Sequence, residues 1–136
     1  MHALNLSSAD DSFLLGDVYA EKGAYQKSIE EFLKSGDSPH ALGHLGNAYA
    51  RAGKTHEARA TISRLIQQVH KDGVGRYEIA LVYAGLGNKN EAFAWLDEAY
   101  QTNSEGLTNL KIDPCLDPLR ADPRFARLLE RTGLSR

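Results

Sequence analysis

Apolar residues return at intervals of three and four along most of the chain. Leu14, Leu15, Val18 and Tyr19 form one such group, followed by Ile29, Phe32 and Leu33, then by Leu42, Leu45 and Tyr49. Ile62, Leu65, Ile66 and Val69 continue it, as do Ile79, Val82, Tyr83 and Leu86, and finally Phe93, Leu96 and Tyr100. This spacing puts each group on one face of an α-helix, whereas a half-buried strand would alternate in twos. The pattern breaks at Gly23, Gly53 and Gly87, each read as a tight turn between two short helices. Ser38-Pro39 reads as a helix cap followed by a proline at the first helical position. The residue balance points the same way. Ala and Leu together number 35 against 9 for Val and Ile, and β-branched residues lose side-chain freedom in helices. The expected class is all-α, with no strands.

The helices repeat. Gly46-x-x-Tyr49-x-x-x-Gly53-x-x-x-x-Ala58 returns as Ala80-x-x-Tyr83-x-x-x-Gly87-x-x-x-x-Ala92, shifted by 34 residues at all four positions. A weaker copy, Gly16-x-x-Tyr19-x-x-x-Gly23-x-x-x-x-Ser28, is displaced by 30. Small residues let helix backbones approach closely, the tyrosine fills the groove beside them, and the glycine turns the chain. The pattern resembles the tetratricopeptide repeat family, whose helix-turn-helix unit has a period of about 34 residues. The resemblance implies a solenoid, a right-handed superhelix of three units at about 9–38, 39–72 and 73–106. The proline common near the end of each unit is missing, with His70 and Ser104 in its place, and the first unit is four residues short.

Beyond the third unit, Asp113-Pro114, Asp117-Pro118 and Asp122-Pro123 lie in a segment that resembles the end of many bacterial multidomain regulators built on these repeats. Each Asp-Pro pair reads as an N-cap plus a first helical residue. Phe125, Leu128 and Leu129 give a last helix an apolar face. An open solenoid end needs cover, so residues 107–136 are read as a cap. Residues 1–8 precede the first unit and are expected to be disordered.

Composition narrows the partners. The chain has 136 residues, 16 basic and 18 acidic, and so lacks the basic excess of a dedicated nucleic-acid binder. With 42% apolar and 25% charged residues it can fold as one soluble domain. The start of the chain lacks the basic and long apolar stretches of a signal peptide, and the Asn5-Leu6-Ser7 glycosylation triplet stands alone. The expected compartment is the cytoplasm, with no membrane contact. Cys115 is the single cysteine, which excludes an internal disulfide.

No catalytic constellation is evident. Ala48-x-x-x-x-Gly53-Lys54-Thr55 loosely matches a phosphate-binding loop, but that loop follows a strand, and here Gly53 is the repeat's own turn with Thr55 as the next cap. His40 and His44 share a helix face without an evident third ligand, so no metal and no cofactor are expected. His56 and His70 read as surface residues. Cys115, between Pro114 and Leu116, reads as a structural thiol. Arg120, Arg124, Arg127 and Arg131 read as a solvated face or as internal ion pairs, because the segment from 105 onward is almost balanced in charge.

The family resemblance implies a concave surface made by the first helices. It places Phe13, Asp17, Asn47, Tyr77 and Leu81 there, with His40, His44 and Arg51 as neighbours. In chaperone-binding members of the family, basic residues and asparagines clamp a peptide carboxylate. Here Phe13, Asp17, Val74 and Glu78 stand in four of those positions and only Asn47 survives. A mixed aromatic and polar groove instead suits an apolar peptide or amphipathic helix of a partner protein. The competing expectation is a structural or self-association module, its groove filled by its own tail or by a second copy, or the C-terminal part of a larger regulator.

Overall fold

The computed structural model describes residues 9–133; the segment 1–8, with its Asn5-Leu6-Ser7 triplet, lies outside them. Seven α-helices and two 3-10 helices follow one another, with no strand among the described residues. They are α1 (Ala9–Glu21), α2 (Tyr25–Leu33), α3 (Pro39–Arg51), α4 (Thr55–Asp72), α5 (Arg76–Leu86) and α6 (Lys89–Gln101). Two 3-10 helices, Glu105–Asn109 and Pro114–Leu119, then lead to α7 (Pro123–Thr132). Within each unit the two helices pack on each other, α1 on α2, α3 on α4 and α5 on α6, while α3 also packs broadly on α5. The helices are those that the periodicity predicts, and their array is consistent with the all-α solenoid that the family resemblance implies.

The turns form as their glycines require. Gly53 and Gly87 sit at φ +81° and +80°, the left-handed region that β-carbons disfavour. Ser38 caps α3, its Oγ accepting from the Ala41 N–H at 3.2 Å, and Pro39 opens the helix. Two cap readings are corrected. Lys54 rather than Thr55 precedes α4, and no side chain caps that end. Of the three Asp-Pro pairs, Asp113 and Asp122 cap helices, but Asp117-Pro118 falls inside the second 3-10 helix. Two prolines within six residues remove two backbone donors, so this stretch winds as a short 3-10 helix rather than a long α-helix.

Small residues set the close contacts between helices. Ala58, Ala80 and Ala92 are fully buried. Ser28 takes the same place in the first unit and satisfies its hydroxyl by donating to the Gly16 carbonyl at 2.8 Å. Tyr19, Tyr49 and Tyr83 are half-buried. Gly46 brings α3 against α5 and α4, for a β-carbon there would lie 2.5 Å from Val82 Cγ2 and 3.0 Å from Thr61 Cγ2. Gly46→Ala should therefore cost about 1–3 kcal/mol of overpacking, read as a lower denaturation midpoint at unchanged slope.

Two apolar clusters run through the molecule. Ile29, Phe32, Leu42, Leu45, Leu65 and Ile79 join the first two units to α5. Tyr77, Leu81, Phe93 and Leu96 join α5 and α6 to Leu110, Leu116, Leu119, Phe125 and Leu128 of the C-terminal segment. That segment follows the repeat's own register. Helix α7 begins at Pro123, 34 residues after α6 begins at Lys89. Arg124 meets Asn90 and Arg131 meets Asp97, each pair again 34 apart. Residues 107–133 thus stand where a fourth unit would, with its first helix broken by prolines.

Candidate functional site

The second 3-10 helix does more than extend the row. It reaches back past α5 to α3, across the side of the solenoid that the first helices form. Asn47 donates through Nδ2 to the Leu81 carbonyl at 2.8 Å and to the Cys115 carbonyl at 3.2 Å. One amide thereby ties α3 to α5 and to the C-terminal segment. Arg51 donates to the Pro114 carbonyl at 3.1 Å and to the Tyr25 hydroxyl at 3.3 Å. Tyr77 donates its hydroxyl to Asp113 Oδ2 at 2.6 Å in a buried contact. The other oxygen of Asp113 accepts from the Cys115 N–H at 3.0 Å, so one carboxylate caps the 3-10 helix and anchors it to α5.

Tyr77 and Leu81 are buried, at 2% and 0% exposure, and the C-terminal segment covers them, so neither offers surface to a partner in this arrangement. Asn47 is buried and committed to carbonyls. Phe13 and His40 lie together on the other flank, rings 4.7 Å apart, while His44 stands between them and the segment. Of the eight groove residues expected from the sequence, Asp17, His44, Asn47 and Arg51 converge on one open cleft with the C-terminal segment. That cleft has a volume of about 580 Å³ and lies between α1, α3 and the second 3-10 helix. Glu21, Tyr25, Ile112 and Asp117 also line it.

His44 is the most connected titratable group in the cleft. Asp17 Oδ1 lies 3.2 Å from its Nδ1 and Cys115 Sγ 3.7 Å from the same nitrogen. Phe13 and Phe32 rings hold the imidazole at 4.9 and 5.9 Å between centroids. Burial opposes the imidazolium, but negative charge available at Cys115 and the Asp17 hydrogen bond outweigh it and hold His44 well above its ordinary range. His40 is pushed the other way, by burial and then by His44. Burial pushes the Cys115 thiol up, against the pull of His44. Burial, and then the Asp113 carboxylate, push the Tyr77 hydroxyl far up, so it stays a donor. A relay of cysteine, histidine and aspartate needs its two partners on opposite ring nitrogens. Here both meet Nδ1, so the orienting group and the nucleophile would compete for one nitrogen.

The other candidates resolve as packing or surface. His56 and His70 are exposed. Arg120 pairs with Asp117 at 2.8 Å, Arg124 with Asp122 at 2.9 Å, and Arg131 with Asp97 at 3.0 Å. Arg124 also covers the Phe93 ring at 4.5 Å, and its hydrogen bonds hold the Asp122 carboxyl down at about 2. The basic run is thus largely internal pairing.

Residues 75–105, which span α5 and α6, match the family model of the tetratricopeptide repeat. Repeats of this family are typically protein-interaction modules with a non-catalytic fold. No curated protein and no solved structure matches the chain. No helix among the described residues is long and apolar enough to cross a membrane.

Proposed function

We propose that the protein binds a segment of a partner protein in the cleft between α1 and α3, beside its own C-terminal segment. The open cleft itself carries this reading. Asp113 and Cys115 are tied to Tyr77 and Asn47, and beside them remains a cavity of about 580 Å³ walled by side chains from the first unit, the second unit and the C-terminal segment. Arg51 is spent on internal contacts, Asp17 faces His44 and Asp117 pairs with Arg120, so the exposed Glu21 is the acid the wall offers a partner. Ile112 stands at the rim, 73% exposed. A segment carrying an apolar anchor flanked by basic residues complements such a site. Catalysis forms no part of this reading.

The test is comparative capture from source-cell lysate with three baits: wild type, the cleft variant Glu21→Arg/Ile112→Glu, and Arg59→Glu on α4. All three substituted residues are exposed, so folding should be kept. A protein held by wild type and by Arg59→Glu, and reduced at least about tenfold on the cleft variant, supports the reading. Equal capture by all three baits rejects it. A second reading, self-association, is favoured by Leu14, Val18 and Leu33, which expose 63%, 46% and 57% of their surface on the first unit. Sedimentation of wild type against Leu14→Glu/Val18→Glu decides it: a dimer lost in the variant supports self-association, and a wild-type monomer removes it.

A further inference from the structure

The cleft wall holds a cluster that the partner reading does not use. A ring nitrogen of His44, Cys115 Sγ and an Asp113 carboxylate oxygen all lie within 4.8 Å of one another. Asp17 Oδ1 approaches the same nitrogen of His44 from α1. We propose that His44, Cys115 and Asp113, closed by Asp17, form a zinc site that staples the C-terminal segment into the groove.

The geometry carries the case. Zinc bonds of about 2.0–2.1 Å to nitrogen or oxygen and about 2.3 Å to sulfur, at tetrahedral angles, place neighbouring ligand atoms about 3.3–3.6 Å apart. His44 lies 3.2 Å from Asp17 and 3.7 Å from Cys115, while the Asp113 oxygen lies within 4.8 Å of the His44 and Cys115 atoms and would draw in on the ion. Convergence of sulfur and carboxylate on one ring nitrogen defeats a proton relay, yet it is what a shared ion at their centre requires. Thiolate, imidazole and carboxylate together suit zinc rather than magnesium or calcium, which prefer oxygen alone.

The supports around the ligands are also present. Tyr77 donates to Asp113 and the Cys115 N–H donates to its other oxygen, which fixes the carboxylate. Aromatic rings on Phe13 and Phe32 fix the His44 imidazole. Arg51, the nearby cation, is turned to the Tyr25 hydroxyl and the Pro114 carbonyl. On binding, the metal replaces the proton on Sγ and any proton that Nδ1 shares with Asp17, and both pass to solvent. The ligands come from the first unit, the second unit and the C-terminal segment, so the ion would tie three parts of the chain together. This site does not depend on a partner occupying the cleft.

The full-length chain, stripped of metal, is titrated with Co²⁺ as the spectroscopic probe and then with Zn²⁺. Cys115 is the single cysteine, so a sulfur-to-cobalt charge-transfer band reports it without any variant. The expected result is that band saturating at one Co²⁺ per monomeric chain and lost when Zn²⁺ displaces it. Asp17→Asn, at a partly exposed position, should keep the band and weaken Co²⁺ binding about 10–100-fold. His70→Gln, on the exposed end of α4, should change nothing. Absence of the band, saturation only at one metal per two chains, or equal affinity in Asp17→Asn would each overturn the site.

Discussion

A chain ended after residue 106 should lose cooperative unfolding of α5 and α6 and aggregate or bind hydrophobic dye at ambient temperature. Leu107, Leu110, Leu116, Leu119, Phe125 and Leu128 would all go, and each is buried in the same cluster as Tyr77, Leu81, Phe93 and Leu96. Burial of one such side chain is worth about 1.5–3 kcal/mol, while whole domains are stable by only about 5–15 kcal/mol. Among the described residues, the faces of α5 and α6 left behind have no other cover in that cluster. Circular dichroism melts and dye binding on the shortened chain check this. A soluble monomer with a sharp melt near that of the full chain would mean that the segment is an addition to the fold rather than its end.

The second large effect belongs to Tyr77. Tyr77→Ala should cost about 3–5 kcal/mol, because a fully packed aromatic ring leaves a cavity between α5 and the C-terminal segment. Tyr77→Phe keeps the ring and removes only the hydroxyl that Asp113 accepts, and should cost about 1.5–3 kcal/mol, since the carboxylate is buried and loses a charge-assisted bond. Asp113→Asn keeps an acceptor and should fall below Tyr77→Phe. Equilibrium urea unfolding of the three variants gives the ranking. If Tyr77→Phe is neutral, the hydroxyl contact is not made in solution, and the segment is held by apolar packing alone. A loss of partner capture in Tyr77→Ala would therefore report unfolding and not recognition, so exposed Glu21 and Ile112 are the better probes of the cleft.

The solenoid was legible because its causes are local and periodic. A run such as Ile79, Val82, Tyr83, Leu86 needs only helix geometry to be read, and Gly53 and Gly87 announce their turns by the conformation they allow. The exact cap before α4 was not legible, because Lys54 holds that place by backbone bonding alone. Asp17, His44, Asn47 and Arg51 lie on first helices, where the repeat register puts them, but what packs against them was not legible. Asn47 to Cys115 spans 68 residues and Tyr77 to Asp113 spans 36. Nothing periodic links them, and Asn47 meets a backbone carbonyl, which every residue carries. The neighbours that Cys115 and Asp113 make for His44 were missed for the same reason. Cys115 and Asp113 look like a structural thiol and a helix cap in the sequence, and they become a cluster only when prolines bend the segment back to α3. The Asp-Pro pairs were the available signal, since closely spaced prolines predict a first helix that cannot continue.

The central claim is that residues 113–116 pack against α3 and α5 of their own chain. Nuclear Overhauser measurements on the isotope-labelled full-length protein test it most directly. The Asn47 side-chain amide protons should show cross-peaks both to Leu81 and to Cys115 or Leu116, with a slowly exchanging Tyr77 hydroxyl proton. If Asn47 shows no cross-peak to residues 113–116 and their amides exchange as fast as those of an unstructured peptide, the groove is open and the account is wrong.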